Sequence, residues 1–111
     1  MSEHSELVKD IVKAIVSRGG VASHVWSGIK KAGNAVIHGA EPGTLDVIGC
    51  FMGRYIAVDA KVLPDKPSDE QLEFAEKVNN AGGLAFFAYE VETVYTALSE
   101  IEQYLERSEK C

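Results

Sequence analysis

Two neighbouring runs constrain this chain more than any other feature. Arg54 to Leu63 interleaves Ile56, Val58, Ala60 and Val62 with Tyr55, Ala57, Asp59, Lys61 and Leu63, and Asp46 to Phe51 precedes it across Met52-Gly53. Successive side chains of a strand point to opposite faces. The first set therefore makes an apolar face, and Asp59 and Lys61 share the other. A charged pair in a strand otherwise built for burial carries a desolvation cost, so it calls for a reason. A turn centred on Met52-Gly53 pairs Phe51 with Arg54 and, counting outward, Asp46 with Asp59. Carboxylates opposed in this way lie roughly 4.5–5.5 Å apart at Cβ and repel. A divalent cation between them removes the repulsion, and Lys61 lies one alternation further along. Met52 is a poor residue for a turn position that needs positive φ, and a three-residue loop would shift the pairing by one. On spacing alone, the acid-x-lysine pattern fits either a metal site or a plain surface salt bridge.

The rest of the chain frames this hairpin. Its 111 residues make room for one domain, 1–111. Leu7, Val8, Ile11, Val12, Ile15 and Val16 give Glu6 to Arg18 a helical stripe that Gly19-Gly20 ends. Val21 to Ser27 reads as a strand, and Gly28 to Gly43, with four glycines, two lysines and Pro42, as a long irregular loop. Pro64 to Pro67 is a turn, and Ser68 to Ala81 is a second helix closed by Gly82-Gly83. Leu84 to Ala88 is a buried strand, and Val91 to Leu105 is a last helix striped by Val91, Val94, Leu98, Ile101 and Leu105. The order α-β-β-β-α-β-α implies an α/β fold with helices packed on a mixed sheet.

Charge and cysteine content narrow the function. A net charge of −6 argues against a protein that coats nucleic acid through bulk electrostatics. It leaves room for a carboxylate-based metal site with a local basic rim. No apolar run reaches the roughly 18 residues of a membrane span, so no membrane partner is expected. The first residues lack the basic-then-apolar pattern of a secretory signal, so an intracellular location is expected. Cys50 and Cys111 have no zinc-ligand spacing; Cys50 is expected in the core and Cys111 as a terminal thiol.

Several motifs now line up. Gly43-Thr44-Leu45-Asp46-Val47-Ile48-Gly49, then Gly53-Arg54-Tyr55-Ile56-Ala57-Val58-Asp59-Ala60-Lys61, then Ser68-Asp69-Glu70-Gln71 and Ala81-Gly82-Gly83-Leu84-Ala85-Phe86, resemble the PD-(D/E)xK nuclease superfamily and, within it, the VRR-Nuc family. The resemblance runs from the first helix to about Val94. It implies a restriction-endonuclease-like αβββαβ core and a metal-dependent DNA endonuclease. Asp46 and Asp59 then resemble the metal-binding acids, with the backbone carbonyl of Ala60 as a further ligand to Mg2+ or Mn2+. Lys61 resembles the catalytic lysine and Gln71 the supporting helix glutamine. Leu45 stands where the family usually has proline, and Asp59 where it more often has glutamate. The family's first-helix glutamate has no clear counterpart. Ungapped alignment puts His4 there, and Glu3 is the nearest acid, carried as a candidate metal ligand.

The stand-alone length resembles phage and bacterial members similar to Holliday-junction resolvases. That implies a homodimer acting on branched DNA, such as junctions or flaps. The alternative is a nuclease-fold subunit that binds or assembles without cutting. Lys30, Lys31, His38, Arg54 and Lys66 are candidates for a DNA-contacting rim, each equally readable as a solvated charge. Gln71 also completes an S-x-x-Q capping box with Ser68, a role compatible with the first. Trp26, Tyr95 and Tyr104 read as packing residues, and His24 as an ordinary strand residue.

Overall fold

The computed structural model describes residues 2–26, 29–39, 41 and 43–109, and of 29–32, 37, 38, 108 and 109 it describes the backbone only. Helix α1 (Glu3–Ser17) opens the chain, its start fixed by Ser2, whose side chain accepts from the Ser5 N–H. Strands β1 (Val21–His24), β2 (Ile29–Ala32), β3 (Ala35–His38), β4 (Val47–Phe51) and β5 (Arg54–Ala60) follow. Helix α2 (Asp69–Asn80), strand β6 (Leu84–Ala88) and helix α3 (Val91–Glu109) complete the order.

Four strands form one mixed sheet in the order β1-β4-β5-β6, with antiparallel pairs except for parallel β5 and β6. The alternation read from β5 divides the core as expected. Ile56, Val58 and Ala60 join Val47, Phe51 and Ala88 against Ile11, Ile15, Val94 and Leu98 of α1 and α3. On the other face, Ala57 and Ala85 pack with Leu45 and Ala75 beneath α2. The sheet is thus covered on both sides, which explains why β5 is buried from Ile56 onward.

Two expectations are corrected. Gly28 to Gly43 is not an irregular loop throughout, because it holds a separate two-stranded sheet, with Ile29 paired to His38 and Ala32 to Ala35. Its turn is Gly33-Asn34, with Gly33 at φ 63°, and the β-branched Ile29, Val36 and Ile37 flank it. Cys50 is exposed rather than buried. It pairs with Val21 and Tyr55 at the end of the sheet that α2 leaves uncovered, and both neighbours are exposed too. Cys111 lies outside the described residues.

Candidate active site

The β4–β5 turn decides whether the two acids meet. Met52 adopts φ 51° and Gly53 φ 81°, the paired left-handed conformations of a two-residue hairpin turn. Phe51 therefore pairs with Arg54 and Val47 with Val58, the register read from the sequence. One step beyond Val47, the Asp46 N–H donates to Asp59 Oδ1 at 3.0 Å, and the Ala60 N–H donates to Asp46 Oδ2 at 3.2 Å. Each acid thus receives a backbone donor from the opposite strand, in place of the next rungs of the ladder. The Asp46 carbonyl accepts from the Val25 N–H at 2.8 Å, which ties the same residue to the chain leaving β1.

Neighbouring packing fixes where that strand begins. Leu45 is fully buried against the α2 layer, where it packs with Ala57, Ala75 and Ala85. Gly43 has φ +91°, and a Cβ there would lie 2.7 Å from the Glu70 carbonyl oxygen. Only glycine lets the chain approach the start of α2 this closely. The acids are thereby set beside Gln71.

Lys61 completes the cluster. Its Nζ stands 2.9 Å from Asp59 Oδ2 and donates to Gln71 Oε1 at 2.8 Å. Gln71 Oε1 also accepts from the Ser68 N–H at 3.0 Å, while Ser68 Oγ accepts from the Gln71 N–H. Capping and support of the lysine are therefore served by one side-chain oxygen. The Asp59 side chain is 2% exposed and that of Lys61 12%. Burial raises the Asp59 carboxyl above its ordinary value; the Lys61 hydrogen bond and charge oppose this, and the nearby Asp46 adds to it. The Asp46 backbone N–H, which donates to Asp59, also opposes the rise.

From the first helix, the side chain that reaches the acids is His4, with Nε2 2.9 Å from Asp46 Oδ2. Glu3 instead lines a separate groove with Glu6, Asp10 and Glu90. Helix α1 starts at Glu3 rather than at Glu6, and this earlier start carries His4 to the sheet end. Arg54 sits at the turn end of β5, its guanidinium 5.3 Å from the centre of the Tyr104 ring, which gives it a packing partner on α3. Five residues of strand, roughly 17 Å, separate it from Asp59. Lys66 is exposed on the connection between β5 and α2. Lys30, Lys31 and His38 lie on the small sheet, and their side chains are outside the described residues.

Hard carboxylate oxygens on adjacent strands suit magnesium or manganese. Among the described residues, no group of three or more His, Cys, Asp or Glu side chains is arranged to hold a metal ion. Two carboxylates are nonetheless a common magnesium complement, since that ion keeps several waters and takes oxygens from a bound phosphate. No helix among the described residues is long and apolar enough to cross a membrane. Compared with known proteins, the sequence matches no family model and no curated protein.

Proposed function

We propose that this chain is a divalent-metal-dependent deoxyribonuclease of the restriction-endonuclease-like fold, hydrolysing phosphodiester bonds in branched DNA as a homodimer. The observation that carries the reading is the convergence of Asp46, Lys61 and Gln71 on the buried Asp59 in one part-buried corner. The resemblance to the VRR-Nuc motifs supplies the branched substrate and the dimer.

Asp46, Asp59 and the carbonyl of Ala60 would hold Mg2+ or Mn2+. When bound, such an ion lowers the pKa of a water and polarises a phosphoryl oxygen. The chain's own residues do the rest. An ammonium has three N–H donors, and Asp59 and Gln71 engage two of those on Lys61. The third is directed to a non-bridging phosphate oxygen, where negative charge grows during attack. Gln71 holds the lysine in this pose. His4 fixes the Asp46 carboxylate from the α1 side and stands where the family usually offers a glutamate.

Cleavage of four-way, flap, duplex and single-stranded DNA with Mg2+ or Mn2+ tests the assignment. Asp59→Ala and Lys61→Ala are expected to abolish cutting with the fold retained. Cutting that survives in clean Asp59→Ala protein defeats it.

One observation favours a second reading. Asp46 Oδ2 already contacts the Ala60 N–H and His4, and a histidine replaces the first-helix acid. A nuclease-fold subunit that binds DNA without cutting would look this way. Calorimetry separates the two: magnesium binding that Asp46→Ala removes supports the nuclease, and absence of binding supports the subunit.

A further inference from the structure

Helix α1 divides charge between its two flanks. One flank lines a groove of about 640 Å³ with Glu3, Glu6 and Asp10, joined by Glu90. The other lines a groove of about 540 Å³ with His4, Ser5, Val8, Lys9, Val12 and Lys13, joined by His24 of β1. Among the described residues lining this second groove there is no carboxylate, although the chain carries 17 acids. We infer that the α1–β1 groove binds the phosphodiester backbone of a nucleic-acid strand and leads it to Asp46. The inference rests on the nuclease reading and names the surface that reading lacks.

Geometry and charge complementarity carry the argument. Ser5, Lys9 and Lys13 recur every four residues and so form one row along the helix, with about 6 Å between successive members. That interval is comparable with the span of one extended nucleotide. Val8 and Val12 form an apolar floor between this row and β1, a surface suited to sugar faces rather than to phosphate. From Lys13 to His4 the groove runs about 14 Å along the helix. It ends at the site, because His4 Nε2 lies 2.9 Å from Asp46 Oδ2 and Val25, next to His24, donates to the Asp46 carbonyl. The acidic flank repels phosphate, so a strand approaching α1 is sorted onto the basic side. β1 is an edge strand of the four-stranded sheet. In a chain of net charge −6, attraction of this kind has to be local.

The test measures binding without cutting. A fluorescent single-stranded oligonucleotide and a labelled four-way junction are titrated by anisotropy in EDTA, over a series of salt concentrations. Wild type is compared with Lys9→Ala/Lys13→Ala and with Lys77→Glu, which changes net charge equally on α2. The groove variant is expected to bind roughly tenfold or more weakly at 50 mM salt. Its slope of log affinity against log salt should fall by about 1.4 for the single strand. Lys77→Glu should bind as wild type does, and far-UV circular dichroism should show both variants folded. Equal weakening of both variants, an unchanged groove variant, or no binding by wild type each overturns the inference. Wild-type cutting alongside an unaffected groove variant would sink the groove and leave the nuclease standing. Groove-dependent binding without any cutting would do the reverse.

Discussion

Replacing Lys61 by methionine probes the corner most directly, because it keeps the aliphatic stem and removes the charge. The ammonium lies 2.9 Å from Asp59 Oδ2. At an effective dielectric constant near 20, that separation corresponds to about 6 kcal/mol of attraction. Relief of the lysine's own desolvation returns part of this, and breaking one side of a buried pair costs about 3–5 kcal/mol. Small domains have only about 5–15 kcal/mol in total. The thermal midpoint of Lys61→Met should therefore drop by roughly 12–20 °C at pH 7.5, taking about 4 °C per kcal/mol. The deficit should shrink as pH is lowered, since Asp59 can then take up a proton. Asp59→Asn/Lys61→Met should recover at least half of the loss, because no unpaired charge remains. Calorimetric melting of the wild type, both single variants and the double variant in metal-free buffer measures the cycle. A single Lys61→Met variant melting within about 2 °C of wild type across that pH range would refute the buried pair.

Further expectations concern the elements that set the site. Met52→Asn relieves a left-handed backbone position and should raise stability by about 1 kcal/mol, read from urea unfolding. Gly43→Ala drives a Cβ toward the Glu70 carbonyl in a left-handed conformation and should lower the melting midpoint, whereas Gly53→Asn, with open space around it, should be tolerated. The Asp59 carboxyl is raised in the folded state, so the native protein holds that proton where the unfolded chain has released it. Its contribution to stability is thus complete below the unfolded carboxylate value of about 3.9 and is lost as pH rises through the folded value. Asp59→Asn should remove this fall from a stability–pH profile measured with EDTA, and an unchanged profile would contradict the assigned burial.

Much of this corner is legible in the residues themselves. Period-two alternation assigns Asp59 and Lys61 to one face, and counting outward from Met52-Gly53 reaches Asp46, because both rest on local strand geometry. Gln71 is visible as the end of an S-x-x-Q box. The contact of His4 with Asp46 spans 42 residues of chain and depends on how α1 docks, which no local pattern encodes. The approach of the Arg54 guanidinium to the Tyr104 ring likewise depends on how α3 docks. The Gly33-Asn34 hairpin is obscured by the glycines on either side, although Gly-Asn between β-branched residues is itself a turn signal.

The shared oxygen of Gln71 has a consequence for temperature. The first turn of a helix is among the least costly parts of a protein to open, and fraying there would free the same acceptor that steadies Lys61. Under the proposed nuclease activity, turnover should accordingly fade on warming before the cooperative melt begins. Amide exchange in the opening turn of α2 would register that fading earlier than any probe of the sheet.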